Sequence, residues 1–280
     1  MREVDVKDIS DAIRELAITS NCVMGDREIE CFKKMAEVEE SPTGKEILNL
    51  MLENARIAQQ EQIPICQDTG MAVVFLEIGQ DVHLVGGDIN EAVNDGIRRG
   101  YGDGYLRKSI LVDCINRVNT KDNTPAFIHI RIVPGDRVKI TVAPKGGGSE
   151  NMSRFKALKP SEGIEGVKDF VVQAVAEAGG NPCPPVVVGV GLGGPFEKVA
   201  LRAKEALLVP LGQRNSDPFY AQVEVELLER INNTGVGPQG LGGRITALDV
   251  HVVQGPCHIA TLPVAVNLNC HATRHGERTI

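Results

Sequence analysis

Apolar residues change their spacing several times along this 280-residue chain, and never in the regular strand–helix alternation that builds a parallel sheet. Over the first sixty residues the spacing is helical. Val6, Ile9, Ile13 and Leu16 share one face. Ile47, Leu48, Met51, Leu52, Ala55 and Ala58 share another, behind Ser41-Pro42-Thr43 as a start signal. Pro64 and Gln67-Asp68-Thr69-Gly70 end that region. Residues 71–78 then read as a strand and 88–99 as a helix. Residues 126–133 and 137–142, either side of Pro134-Gly135-Asp136, read as a hairpin. Beyond them, 164–178, 196–208 and 218–231 read as helices, and 186–191, 245–253 and 259–268 as strands. No linker divides the pattern. The expectation is a mixed α/β (α+β) fold in one domain over 1–280: a helical N-terminal subregion over 1–62, then a mixed-sheet region over 63–280. Trp is absent and aromatics total 4%, so Val, Ile, Leu, Ala and Met must build the core.

Charge and cysteine usage narrow the class. A formal net charge of −7 argues against a general nucleic-acid or anionic-membrane binder. The apolar runs, such as 185–192, are too short to span a bilayer, and Met1-Arg2-Glu3-Val4-Asp5 has no apolar signal core. The expected compartment is the cytoplasm. Seven cysteines is an odd number and no Cys-x-x-Cys occurs, so free thiols or metal ligands are expected in place of a disulfide framework. Zinc is disfavoured because paired ligand spacing is missing.

Three cysteines stand far apart in loop-like settings: Cys66 after Pro64-Ile65, Cys183 inside Asn181-Pro182-Cys183-Pro184-Pro185, and Cys270 in Asn267-Leu268-Asn269-Cys270-His271. A dispersed set of three suits an iron–sulfur cluster with one iron left open. Prolines on both sides keep Cys183 out of helix and central strand, and they favour an extended backbone. Cys257 and Cys270 flank the same apolar stretch, each beside a histidine, and spacing does not choose between them. Cys22, Cys31 and Cys114 read as buried small hydrophobes. Asp68 is a candidate acid–base group; His258 and His271 could each be an acid–base group, a zinc ligand or merely structural; and Arg107 is a candidate carboxylate clamp. Gly146-Gly147-Gly148 resembles an anion cradle, where backbone N–H groups can approach a ligand. Gly189-Val190-Gly191-Leu192-Gly193-Gly194 passes loosely for a dinucleotide loop, but lacks the βαβ unit and acidic residue that would support it.

Taken together, residues 64–70, 104–107, 145–151, 181–185 and 258–275 resemble the alpha subunit, or N-terminal domain, of the class I iron–sulfur fumarate hydratases and their L-tartrate dehydratase relatives. The resemblance runs from about residue 45 to the end of the chain, and it implies a set of roles. Cys66, Cys183 and Cys270, not Cys257, match ligands of a 4Fe–4S cluster. Asp68 and His258 match catalytic positions. Gln67, Arg107, Gly147 and Gly148 match substrate-binding positions. The implied activity interconverts fumarate and (S)-malate, with L(+)-tartrate dehydration as the alternative. A different class of alternative is a non-catalytic iron–sulfur or metal-binding protein. The chain ends soon after the third cysteine, like an alpha subunit. The family therefore implies a beta subunit, in a hetero-oligomer, that supplies the base for the carbon-bound proton.

Overall fold

The computed structural model describes all 280 residues. The chain begins β1 (Arg2–Asp5), α1 (Val6–Cys22), α2 (Asp26–Val38), α3 (Pro42–Glu61), β2 (Met71–Gly79), β3 (Val82–Val85) and α4 (Ile89–Asp103). It continues β4 (Phe127–Val133), β5 (Val138–Lys145), α5 (Gly147–Glu150), β6 (Arg154–Leu158), α6 (Gly163–Ala178) and β7 (Val186–Leu192). It closes with α7 (Phe196–Ala206), α8 (Pro218–Asn232), β8 (Ala247–Gln254), β9 (Leu262–Asn269) and β10 (Gly276–Thr279). The fold is mixed α/β. Two compact units form: unit 1 from residues 1–24, 54–147 and 274–280, and unit 2 from 25–53 and 148–273. The chain passes from one to the other four times: between α1 and α2, inside α3, at the glycine-rich turn and before β10. No helix is long and apolar enough to cross a membrane.

In unit 1, α1 and α4 each begin at an aspartate whose carboxylate caps free backbone N–H groups. Asp5 accepts from Lys7 at 2.9 Å, and Asp88 from Asn90 and Glu91 at 2.8 and 3.0 Å. Ile9, Ile13 and Leu16 of α1 pack with Val93 and Ile97 of α4 against one face of a four-stranded sheet. The strand order is β10-β5-β2-β4. This corrects the expected hairpin, since β4 and β5 do not pair with each other. β2 lies between them, parallel to β4 and antiparallel to β5. Val73, Val74, Leu76 and Ile78 make β2 apolar on both faces, which suits the middle of a sheet better than its edge. Its end is held on both sides, by Gln80 N–H to Val133 O at 2.7 Å and Gly79 N–H to Arg137 O at 2.8 Å.

In unit 2 the order is β6-β9-β7-β8. All seven residues of β7 are buried. Side chains alternate along a strand, so Val186, Val188 and Val190 face one way, towards α6 and α8. Gly189 and Gly191 face the other way, towards α7. A Cβ on Gly189 would lie 2.1 Å from Ala203 O, and one on Gly191 would lie 2.1 Å from Val199 O. Two of the glycines read loosely as a dinucleotide loop, Gly189 and Gly191, are therefore strand residues that let α7 press against the sheet, and Gly193 and Gly194 follow the strand.

Candidate active site

In unit 1 the segment 66–70 leaves α3 and enters β2, and buried side chains hold it in place. Tyr101, fully buried on α4, donates its hydroxyl to Thr69 O at 2.8 Å and Gly70 O at 3.1 Å. Burial pushes its phenol pKa well up, so it stays a neutral donor. Asn123, also fully buried, donates to Gly70 O at 3.2 Å and accepts the Ser109 N–H at 2.7 Å. Thr69 Oγ1 donates to Arg107 O at 3.1 Å. These bonds tie the segment bearing Cys66, Gln67 and Asp68 to the segment bearing Arg107. Ile65 is held at both polar groups, its N–H by Asn21 O at 2.9 Å and its carbonyl by Asn54 Nδ2 at 2.8 Å. Gln67 and Arg107 are exposed, Cys66 and Asp68 half-buried. The Cys66 thiol donates to Gln67 Oε1 at 3.4 Å. Asp68 accepts from Gly70 N–H through Oδ1 at 3.0 Å and from Gly147 N–H through Oδ2 at 2.8 Å. The Gly147 amide, expected to meet a substrate carboxylate, thus meets a carboxylate of the protein. Gly147 and Gly148, expected in an anion cradle, open the short helical turn α5.

In unit 2 the Pro182–Pro185 turn is held chiefly through its main chain. Cys183 adopts φ +56°, and its N–H donates to Gly180 O at 3.0 Å. This corrects the extended backbone expected from the flanking prolines: the tight turn from Gly180 requires the left-handed region, which costs a non-glycine residue about 1 kcal/mol or more. Cys183 O receives the His271 N–H at 3.2 Å and lies 3.1 Å from His271 Nδ1. The residue after Cys270 is thereby fastened to Cys183 itself. Gln239 donates both its backbone N–H, at 2.8 Å, and its Nε2, at 2.9 Å, to Pro184 O. Cys183 is exposed and Cys270 half-buried, and neither is in a disulfide. Gly148, exposed, lies near Asn181: a Cβ there would be 3.3 Å from Asn181 O. His258 sits on the exposed β8–β9 loop beside an open cavity of about 370 Å³ that Cys257, Pro195 and Thr261 also line. Its Nδ1 accepts the Ala260 N–H at 3.2 Å, which leaves Nε2 as the free ring nitrogen. Cys257 lies in the same loop, its thiol donating to Thr261 O at 3.5 Å.

The other thiols differ. Cys22 is buried and Cys31 half-buried, and burial together with the Asp249 and Glu28 charges pushes the Cys31 thiol up to about 11. Cys114, expected to be buried, is exposed: Asp113 accepts from the Ile115 and Asn116 N–H groups, each at 2.8 Å, and forms a surface turn there. No group of three His, Cys, Asp or Glu side chains stands together as a ready-made site for a single metal ion. The donor set still fits an iron–sulfur cluster, because soft thiolates are its ligands and unit 2 presents two accessible thiols on hydrogen-bonded segments. Sequence reasoning missed Tyr101, Asn123, Gln239 and Arg274. Each is a single polar residue within an apolar or loop stretch, and only its partners give it meaning. Arg274 is 4% exposed and donates through Nη1 to Asp68 O at 2.6 Å and Asn21 Oδ1 at 3.1 Å.

Comparison with known proteins is consistent along nearly the whole chain. The family described as fumarate hydratase (Fumerase) matches residues 10–279. The chain is 41% identical over 278 residues to "Putative L(+)-tartrate dehydratase subunit alpha" of Methanocaldococcus jannaschii, covering 97% of each chain. It is 35% identical over 257 residues to "L(+)-tartrate dehydratase subunit alpha" of Escherichia coli strain K12, covering 90% of this chain and 84% of that one. The same figures hold for the protein of that name from Shigella sonnei. A match of this length and identity means that the chain belongs to the fumarate hydratase family and is a hydro-lyase chain.

Proposed function

We propose that this chain is the cluster-bearing alpha subunit of a two-subunit hydro-lyase that interconverts fumarate and (S)-malate. The observation that carries the reading is the tie between the segment of Cys66, Gln67 and Asp68 and that of Arg107, made through Thr69, Tyr101 and Asn123. A thiol, an amide, a carboxylate and a guanidinium then stand on segments that cannot shift independently, as substrate orientation requires. Cys66, Cys183 and Cys270 hold a 4Fe–4S cluster, on the family pattern and on the thiols described above. When bound, the cluster supplies an iron with an open position, a Lewis acid for the hydroxyl that leaves. Arg107 and Gln67 bind and orient the dicarboxylate, with Gly148 offering its main-chain N–H group, since the Gly147 N–H is held by Asp68 Oδ2. Asp68 and His258 manage the proton that accompanies the hydroxyl, His258 through Nε2.

The relatives' names speak of a subunit alpha, which supports a beta partner. That partner supplies the group that removes the carbon-bound proton. Seven cysteines, none in a disulfide, suit a reducing, cytoplasmic compartment. The same names favour a second reading, dehydration of L(+)-tartrate. Rates with malate and L-tartrate, measured side by side on the reconstituted alpha–beta enzyme and on the alpha chain alone, test these points. We expect turnover only with both chains, and faster with malate. A preference for tartrate would replace the first reading by the second, and full turnover by the alpha chain alone would remove the partner.

A further inference from the structure

Buried charges in this protein are nearly all met by opposite charge or by several backbone donors. Lys168 lies 2.8 Å from Glu165 and also bonds Glu226. Glu39 accepts backbone N–H groups from Glu40, Ser41, Arg244 and Ile245. Arg274 is different. It is 4% exposed, yet its hydrogen bonds go only to two neutral oxygens, Asp68 O and Asn21 Oδ1, and both leave from Nη1. No carboxylate pairs with it. A guanidinium carries five N–H donors in a rigid fork matched to a carboxylate, so Nη2 and Nε remain unspent. A buried charge without a counter-charge is costly, and it persists where a ligand supplies the missing partner.

The groups beside the unspent edge of Arg274 lie within unit 1. Arg274 Nη2 lies 3.4 Å from the point where a Cβ on Gly146 would stand, and Asp68 Oδ2 lies 3.3 Å from the same point. Gly146 has no side chain to cover the guanidinium edge there. The Asp68 carboxylate already accepts the Gly70 and Gly147 N–H groups, and it does not pair with the guanidinium. We propose that Arg274 is a further substrate-binding residue, whose free guanidinium edge beside Gly146 takes one carboxylate of the dicarboxylate substrate. The assignment rests on reading the chain as a dicarboxylate hydro-lyase. It also explains how an anion can approach Asp68: the guanidinium offsets the aspartate charge where the two flank one point.

The test uses the assembled, cluster-loaded enzyme with malate and L-tartrate as probes. For wild type, Arg274→Met, Arg274→Lys and Gly146→Ala, it compares KM, kcat, iron content and the rise in unfolding temperature that each probe causes. Arg274→Met should raise KM about 10- to 100-fold, the size of one lost charge-assisted hydrogen bond, and shrink the probe-induced rise. Arg274→Lys should recover part of the loss. Gly146→Ala, which keeps the charge but intrudes on the point, should weaken binding too. A variant of Arg274 with wild-type KM and probe-induced rise overturns the proposal, whatever its unfolding temperature without probe. If neither Arg274 variant folds, the wild-type enzyme crystallised with substrate decides. A carboxylate oxygen within hydrogen-bond distance of Arg274 supports the proposal, and none overturns it. Wild-type enzyme inactive on both probes would instead overturn the reading on which the proposal rests.

Discussion

The segments carrying the candidate site are immobilised in two different ways. In unit 1, residues 66–70 are held from below by buried side chains: Tyr101 and Asn123 grip the Thr69 and Gly70 carbonyls, and Arg274 grips the Asp68 carbonyl. In unit 2, the Pro182–Pro185 turn is held mainly by its own backbone: Cys183 at φ +56°, a carbonyl shared with His271, and a proline carbonyl that takes two donors from Gln239. The first arrangement depends on groups that lose everything when a partner is deleted. The second leaves main-chain bonds in place whatever the side chain is. Buried polar networks are sensitive in this all-or-none way, because an orphaned group inside the protein cannot turn to water.

The largest expected effect concerns the cluster itself. Cys183→Ser and Cys270→Ser should lose bound iron and sulfide to background while keeping the wild-type circular dichroism spectrum, since neither thiol belongs to a packed core. Cys257→Ser should keep both. Iron and acid-labile sulfide analysis reads this directly, and full retention of iron by Cys183→Ser would remove that residue from the ligand set. Next comes Asn123→Ala, which orphans the Ser109 N–H and one bond to Gly70 O in the interior. It should cost about 3 kcal/mol in chemical denaturation. A loss under about 1 kcal/mol would mean that unit 1 does not depend on its buried network.

Glu39 gives a pH-dependent version of the same contrast within unit 2. Burial alone would raise its pKa, but backbone N–H donors from Arg244, Ser41, Ile245 and Glu40 outweigh it and hold the carboxyl below the ordinary range. A carboxylate depressed in the folded state contributes stability above its unfolded pKa and loses it as pH falls through the folded value. Unfolding temperature should therefore fall from about pH 4 downward. Glu39→Gln should be about 2 kcal/mol less stable at pH 7 and show a shallower acid decline. An equal decline in both proteins would assign the acid sensitivity elsewhere. The smallest effect belongs to Gln239→Ala. The half-buried side chain gives up one bond to Pro184 O and a 3.4 Å contact with His271 Nδ1 while the backbone N–H keeps its own, so about 1 kcal/mol is expected. A loss as large as that of Asn123→Ala would erase the difference between the two units.

Much of the fold was legible from periodicity. Residues 164–178, 196–208 and 218–231 lie within or close to α6, α7 and α8, because long amphipathic helices repeat their signal many times. The hairpin expectation failed because short-range turn chemistry says nothing about a third strand that arrives from earlier in the chain. Short pieces such as β1, β3 and β10 carry too few residues to show a period. At the site, Cys66, Asp68 and Cys183 stood out because a thiol or carboxylate beside a proline or glycine turn is chemically marked. Tyr101 and Asn123 did not, because a buried polar residue is identified by its partners, and those lie 31 and 53 residues away in sequence at Gly70.

By itself the sequence determined the helical segments, the apolar strands and the family-matching loops, all of which depend on neighbours within a few positions. Only the tertiary structure decided that β2 separates β4 from β5, that Gly189 and Gly191 make room for α7, and that Cys183 turns left-handed against Gly180. It also decided that Arg274, one arginine among many charged residues, is buried with most of its donors unspent. The physical reason is the same in each case. Sheet order, close approach and the cost of a buried charge are fixed by groups remote in sequence, and a local pattern carries no record of them.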